Sequence, residues 1–166
     1  MNTSFSLQEY DANVVITTPS VSYRIKLTPH AEKQYGKKDI LISNPSEWPS
    51  RYKIEAIHEP MVRGTIIAPQ EYQKEISSLC NECRGDQLNV NYIDQHRMKM
   101  EYMLPMNEIV TDFFDDLKRT TSGYGSFDYE AAGFQEGPMH KINILLNSIP
   151  VEELSVIIHA RKARYV

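Results

Sequence analysis

The stretch Met61-Val-Arg-Gly-Thr-Ile-Ile-Ala68-Pro-Gln-Glu-Tyr72 decides the fold, because a strand pattern runs directly into a helix start. Alternate residues counted from Val62 are apolar or small and fall on one face, while those counted from Arg63 fall on the other, which is typical of a strand. Pro69 is tolerated in a first helical turn, and Glu71 is favourable near a helix N-terminus. The stretch therefore predicts a strand that leads into a helix with almost no loop.

The residues that follow predict this helix and then a hairpin. The apolar side chains recur at helical spacing, and Gly85 is a natural stop at the C-terminus. This face consists of Tyr72, Ile76, Leu79, Cys80 and Cys83. Two alternating runs, 88–92 and 98–102, come next, with the polar connection 93–96 between them. Such a pair of runs favours two antiparallel strands.

A second helix and a further strand complete the pattern. Asn107 is a suitable N-cap, Gly123 ends the helix, and residues 125–129 begin a strand. The predicted buried face of the helix consists of Ile109, Val110, Phe113, Phe114 and Leu117, and the predicted exposed acidic stripe consists of Glu108, Asp112 and Asp115. The order βαββαβ predicts an α+β, ferredoxin-like fold, with an antiparallel sheet and two helices on one face.

The flanking segments predict a partial second α/β domain before this motif and a short extension after it. Strand-like runs are expected at 14–16 and 21–25, with a bend at Pro19, a polar loop at 28–39, a short strand at 39–43 and a turn-rich connector at 44–49. Downstream, the alternation of Ile142, Ile144 and Leu146 predicts a strand. Residues 151–163 fit either a strand or a helix.

Composition and charge exclude several classes of protein. A chain of 166 residues allows one medium domain or two small ones, its first residues lack the features of a secretory signal, and no apolar run approaches the length of a membrane span. Two cysteines fit a reducing compartment. Residues 57–133 hold seven basic and thirteen acidic side chains, a net charge of −6, whereas each flank has a net charge of +1. Because binding to duplex nucleic acid depends on phosphate neutralisation, such contacts should come from loops, from the ends or through basic protein partners.

The residue patterns predict no catalytic, cofactor-binding or metal site in this chain. The motif Cys80-Asn-Glu-Cys83 has no second ligand pair, as a zinc site would require, and both thiols lie on the predicted apolar helix face. The acidic residues Asp112, Asp115 and Asp116 fit a solvated helix face, and a metal-dependent hydrolase is the alternative. No P-loop motif occurs in the chain.

Several strings occur in an order that points to one family. They include Ile16-Thr-Thr-Pro19, Pro69-Gln-Glu71-Tyr72, Leu79-Cys80-Asn-Glu-Cys-Arg84-Gly85, Glu108-Ile-Val-Thr-Asp112, Gly123-Tyr-Gly-Ser-Phe-Asp-Tyr-Glu130 and Lys141-Ile-Asn-Ile-Leu-Leu-Asn147. The series resembles the LepA family of translation factors, which are elongation-factor-type GTPases proposed to act on translocated ribosomes. Strings such as Glu108-Ile-Val-Thr-Asp112 look closer to the mitochondrial members than to the bacterial ones.

The resemblance implies a domain organisation and a role in protein synthesis. Residues 1–56 would be part of domain III, residues 57–133 the domain resembling the C-terminus of elongation factor G, and residues 134–166 the start of the LepA-specific end. GTP and Mg would be bound, and GTP hydrolysed, by an N-terminal domain that this fragment lacks. The implied role is back-translocation or fidelity under stress. The implied partners are the ribosome (rRNA and ribosomal proteins) and tRNA.

The resemblance also leads to expectations about contact residues and compartment, and the chain departs from the family pattern at one turn. Contacts with rRNA phosphates are expected from basic side chains, namely Arg84, Lys118, Arg119, Arg161, Lys162 and Arg164. The last three lie in a basic tail that the last turn of a helix would also explain. A eukaryotic member would lie in the mitochondrial matrix, with a peripheral inner-membrane position as one option, and a bacterial member in the cytoplasm; a monomer without integral membrane association is expected. Ser148 follows Asn147 where the family usually has an Asn-Gly turn.

A rival hypothesis comes from the fold alone. Ferredoxin-like domains host many functions, so the chain could instead be a stand-alone regulatory module that binds a small molecule. That hypothesis predicts a closed apolar pocket with a few convergent polar groups.

Overall fold

The fold is taken from a computed structural model, which describes residues 21–163 apart from the side chains of Glu152 and Glu153. The strand expected at 14–16 lies outside the described residues. In chain order the elements are β1 (Tyr23–Leu27), α1 (Pro29–Tyr35), β2 (Asp39–Ile42), β3 (Ile54–Pro69), α2 (Gln73–Glu82), β4 (Asp86–Tyr92), β5 (Arg97–Pro105), α3 (Met106–Ile109), α4 (Phe113–Thr120), β6 (Ser126–Glu136), β7 (Met139–Leu146) and β8 (Ile149–His159). Short 3₁₀ turns at Pro45–Glu47, Arg51–Lys53 and Gln70–Tyr72 connect some of them.

The central sheet is antiparallel and is built around β3. The order β4-β5-β3-β6 places the first strand of the βαββαβ motif between its third and fourth strands, and β1 and β2 continue the sheet from the N-terminal half of β3. Strand β3 is 16 residues long, so one continuous strand serves both parts. Strands β7 and β8 form a separate two-stranded hairpin.

Both helices pack on the same face of the sheet, as the sequence predicts. The main core joins alternate residues of β3 and β5 to the inner faces of α2, α3 and α4. Its members are Val62, Ile66, Ala68, Ile76, Cys80, Met98, Met100, Tyr102, Leu104, Ile109, Phe113 and Leu117. The α+β, ferredoxin-like assignment is therefore confirmed.

The structure corrects the expected loop at residues 28–39. Pro29 to Tyr35 form α1, in which Pro29 occupies the first turn and Gly36 ends the helix with a left-handed φ of 68°. Its buried residue is Ala31. A seven-residue helix with one small buried side chain has no apolar stripe, so the sequence shows no helical spacing of apolar residues there.

The second predicted helix is divided in two. Asn107 does not cap it but lies inside α3, and α4 begins after Asp112. The hydroxyl of Thr111 donates to the carbonyl oxygen of Glu108 at 3.2 Å, a local bond of the kind that competes with helix continuation. The sequence predicts an exposed Glu108 and a buried Phe114, and both predictions are wrong: Glu108 is buried and Phe114 is 43% exposed.

The C-terminal part resolves two alternatives. Residues 151–159 lie in strand β8 and not in a helix, and residues 160–163 form a turn in which the amides of Lys162 and Ala163 donate to the His159 carbonyl. The last turn of a helix therefore does not explain Arg161 and Lys162. Among the described residues, no helix is long and apolar enough to cross a membrane.

The turn between β7 and β8 provides a first test. Asn147 and Ser148 have φ values of 51° and 65°, as a two-residue hairpin turn of the primed type requires. Because glycine adopts this conformation without steric cost whereas serine does not, we expect Ser148→Gly to raise the free energy of unfolding by about 1 kcal/mol. Thermal unfolding followed by circular dichroism should show a midpoint higher by about 2–4 °C.

Ser78→Gly is the matched control for this turn. Ser78 is exposed within helix α2, where glycine is unfavourable, so the same substitution should lower the midpoint. If both variants shift the midpoint in the same direction, the turn is not strained at Ser148.

Candidate functional site: the arginine junction

The end of helix α2 determines where the side chain of Arg84 lies. Arg84 has a left-handed φ of 57°, and the amide of Gly85 donates to the Cys80 carbonyl at 2.7 Å. The left-handed residue that follows helix α2 is therefore Arg84, one residue before the predicted stop at Gly85. Glycine is needed at 85 for space, since an added Cβ would lie 2.5 Å from Leu104 Cδ2 and 2.9 Å from the Cys80 oxygen.

The guanidinium of Arg84 binds two carboxylates. Nη1 and Nη2 donate to Glu59 Oε1 and Oε2 at 2.7 and 2.9 Å, and Nε donates to Glu108 Oε1 at 3.1 Å. The three side chains are only 8%, 6% and 7% exposed. Two-point contacts of this kind are among the strongest hydrogen bonds in proteins.

Lys162 adds a second cation to this cluster. Its Nζ pairs with Glu108 Oε2, and its side chain is 44% exposed. We call Glu59, Arg84, Glu108 and Lys162 the arginine junction. It contains two negative and two positive charges, and it connects β3, the end of α2, helix α3 and the turn after β8.

Burial shifts the pKa values of Tyr23 and His159, which lie near the junction, toward their neutral forms. Burial, followed by the charge of Glu59, raises the pKa of Tyr23 to about 12, and the Tyr23 hydroxyl has no hydrogen-bond partner among the described residues. Burial, followed by the charge of Arg84, lowers the pKa of His159. Burial alone would lower the pKa of Arg84, but the hydrogen bonds and charges of Glu59 and Glu108 outweigh it and the net shift is upward. Arg84 is therefore held as a cation.

The cysteines near the junction belong to the helix packing. Burial raises the pKa of Cys80 to about 12 and that of Cys83 to about 11, which disfavours the reactive thiolate. Cys80 is fully buried in the core, and Cys83 is half-buried beside it. Within the described residues, no three His, Cys, Asp or Glu side chains converge in a set that could hold a metal ion. What the geometry provides is a joint between segments that are distant in sequence.

Comparison with known proteins shows the family to which the chain belongs. A family model described as elongation factor G C-terminus matches residues 56–145, more than half of the chain. The chain belongs to that family. The match includes the βαββαβ motif and both carboxylates of the junction.

Several longer translation factors are similar to this chain over nearly its whole length. Mitochondrial translation factor GUF1 is 48% identical in Bos taurus, over 94% of this chain and 24% of the relative, and 46% identical in Homo sapiens, over 96% and 24%. Elongation factor 4 of Symbiobacterium thermophilum is 42% identical over 95% of this chain and 25% of its own length. The resemblance to the LepA factors is confirmed by these relatives. The chain spans about a quarter of the length of the curated relatives it matches.

The sequence-predicted contact residues lie in different environments in this member of the elongation factor G C-terminus family. Arg84 is in the interior, with its guanidinium bound to Glu59 and Glu108, so a phosphate contact would have to compete with these two carboxylates. Lys118 and Arg119 are exposed in the last turn of α4; the Lys118 amine donates to the Gly123 carbonyl at 3.3 Å, and Arg119 pairs with Asp116 at 3.2 Å.

The remaining three predicted contacts lie in the tail. Arg161 is exposed in the turn after β8. Lys162 is held at the arginine junction by Glu108, although more than a third of its side chain reaches solvent. Arg164 lies outside the described residues. Thus the structure brings Arg84 and Lys162 together on one carboxylate.

Glu59 and Glu108 are the junction residues that sequence reasoning missed. Glu59 lies two residues from Ile57 and from Met61 along β3, so its neighbours on the same face of the strand are apolar. That pattern was a usable signal. Glu108 gave no comparable signal, because a carboxylate near a helix start is ordinarily exposed.

Proposed function

We propose that this chain is the ribosome-facing part of a LepA-like translation factor that acts in protein synthesis. The similarity to GUF1 and elongation factor 4 along about 95% of the chain supports this function. Its role in back-translocation, or in fidelity under stress, belongs to the same proposal. GTP hydrolysis, with its GTP and Mg, belongs in our proposal to another part of the longer protein.

The mechanism that we propose is mechanical. Residues 1–56 form part of a domain III, 57–133 the domain resembling the elongation factor G C-terminus and 134–166 the start of a LepA-specific end. Strand β3 connects the first two segments, and the arginine junction ties the third to them through Lys162 and Glu108. A unit braced in this way can transmit the nucleotide state of a distant domain to ribosome contacts.

The proposed contacts divide by charge. Lys118, Arg119, Arg161 and Arg164 are our candidates for rRNA phosphates, and Lys162 contributes only the part of its side chain that the junction leaves exposed. The acidic surface of residues 57–133 would face basic ribosomal proteins, where complementary charge sets association rate and register. Transfer RNA is a further proposed partner, and the compartment follows the parent protein: mitochondrial matrix or bacterial cytoplasm.

Two grooves formed by the described residues give the rival small-molecule module no support. The two grooves that share Ile54, Ile57 and Met139 are open to solvent and do not have the enclosed apolar form that the rival predicts.

Ribosome pelleting at rising salt tests the proposed function. We expect the 166-residue chain to sediment with ribosomes at low salt. The triple variant Lys118→Ala, Arg119→Ala, Arg161→Ala should bind about tenfold more weakly, because it makes fewer phosphate contacts and its binding therefore releases fewer counter-ions. The matched control removes three cations elsewhere: Lys74→Ala, Arg97→Ala, Lys99→Ala. Equal pelleting of the triple variant and the control, or no pelleting of the wild type, would contradict the proposal.

A further inference from the structure

A groove of about 400 Å³ lies between the N-terminal part and the start of the C-terminal hairpin. It is lined by Trp48, Pro49, Arg51, Ile54, Ile57, Met139, His140 and Lys141. We call it the Trp48 groove. Three separate segments contribute to it: the 3₁₀ connection before β3, the first residues of β3 and the first residues of β7.

The rim of the Trp48 groove is basic. Arg51, His140 and Lys141 line it, and none of its described lining residues is acidic. The adjoining groove, of about 430 Å³, shares the floor residues but is lined by Glu55 and Glu136. The two sides of this surface therefore differ in charge, and an anion would be drawn to the side of Trp48.

The floor of the groove is apolar and contains an aromatic ring in a fixed position. Trp48 is half-buried and packs edge-on against Tyr23, with the ring centroids 6.0 Å apart. Next to Arg51 but outside the groove lining, Tyr52 is 73% exposed, and the amine of Lys53 lies 5.9 Å from its ring. Cations that alternate with aromatic rings suit single-stranded nucleic acid, whose phosphates and unstacked bases need both.

We propose that the Trp48 groove binds single-stranded RNA. Arg51 and Lys141 pair with backbone phosphates, and one base stacks on the accessible part of the Trp48 ring. A duplex is not the occupant, because its bases are already stacked and its charge density requires a wider basic surface than this rim offers. The inference rests on the proposed function, in which the chain meets the ribosome, and it names RNA as the partner of a surface distinct from Lys118, Arg119 and Arg161.

The chain carries its own reporter for this site, because Trp48 is its single tryptophan. Titration of the 166-residue chain with an eight-nucleotide single-stranded RNA should quench tryptophan fluorescence, and the anisotropy of a labelled copy of that RNA should give the same dissociation constant. Inorganic polyphosphate should compete for the cationic rim without comparable quenching. Equal quenching by polyphosphate, or no quenching by RNA at about 100 µM, would overturn the inference.

Charge-removing variants locate the binding. We expect Arg51→Gln and Lys141→Gln each to weaken RNA binding about three- to tenfold, and each to reduce the slope of log affinity against log salt by about 0.7. Lys74→Gln removes one exposed cation from helix α2 and should change the affinity less than twofold. If Lys74→Gln weakens binding as much as the two groove variants, or if the groove variants bind normally, the site is not this groove.

Ribosome pelleting separates this inference from the proposed function. If Arg51→Gln no longer binds RNA but still pellets with ribosomes through Lys118, Arg119 and Arg161, the groove is supported as a second contact. A chain that pellets with ribosomes but never binds the RNA oligonucleotide refutes the groove alone. A chain that does neither refutes both.

Discussion

Replacement of Arg84 with alanine is expected to lower the free energy of unfolding by about 3–5 kcal/mol. The loss comes from the carboxylates of Glu59 and Glu108, which would remain in the interior at 6% and 7% exposure without the cation that binds them both. Lys162 could neutralise only Glu108. A buried ion pair adds little net stability by itself, but removal of one partner leaves an uncompensated charge, and that is the source of the large effect.

Urea unfolding followed by circular dichroism measures this change. Arg63→Ala is the matched control, because Arg63 pairs with Glu101 at 3.3 Å while its own side chain is 47% exposed. We expect the control to lose less than about 1 kcal/mol. A loss for Arg84→Ala no larger than that of the control would show that the junction does not carry buried charge.

A compensating variant identifies the cause. Arg84→Met combined with Glu59→Gln and Glu108→Gln removes the cation and both carboxylates together, so it should recover most of the stability lost in Arg84→Ala. If it is as unstable as Arg84→Ala, the loss does not arise from uncompensated buried charge but from the packing lost with the Arg84 side chain.

The central motif was predictable because its pattern is local. Strands β3 and β5 and helices α2 and α4 each have one buried face, and the spacing of apolar residues along the chain reports that face directly, whereas β4 has no buried residue. The alternation of Ile142, Ile144 and Leu146 also coincides with strand β7, although Ile144 and Leu146 are exposed. The continuation of β6 to Glu136 could not be read in this way, because most of its later side chains are exposed.

The arginine junction was not predictable from any single segment. Arg84 follows a helix C-terminus, where a basic residue is ordinarily solvated and interacts with the helix dipole. Its burial depends on Glu59 and Glu108, which lie 25 and 24 residues away in sequence. Lys162 is 54 residues from Glu108. Only the packed fold brings these charges together, so nothing local in the sequence indicated that Arg84 is buried.

The Trp48 groove escaped prediction for the same reason. Trp48 and Arg51 lie in a connector that lacks periodicity, and Lys141 occupies a strand position with no local signal. Their common feature is a shared cavity wall, which exists only after β3 and β7 have been placed. Local pattern thus identifies the scaffold of this chain, and the sites on it arise from contacts distant in sequence.

The second large effect is expected from Gly64→Ala, in the middle of strand β3. A Cβ at this position would lie 2.5 Å from Phe127 Cε2 and 3.2 Å from Leu104 Cδ1. The Phe127 ring cannot easily move away, because Phe113 and Phe114 pack against it with centroids 4.8 and 5.1 Å away. Overpacking of this kind costs about 1–3 kcal/mol, so the free energy of unfolding should fall by that amount although alanine suits a strand better than glycine.

A second site tests whether steric crowding is the cause. Phe127→Leu in the Gly64→Ala background should relieve the contact, so the two changes together should cost less than the sum of their separate effects, by at least about 0.5 kcal/mol. Gly137→Ala is the control, because its nearest neighbour, Glu59 Oε1, would be 3.4 Å from the added Cβ, an ordinary contact. Additive effects of Gly64→Ala and Phe127→Leu, or equal losses for Gly64→Ala and Gly137→Ala, would mean that β3 does not need glycine to let the aromatic cluster pack against it.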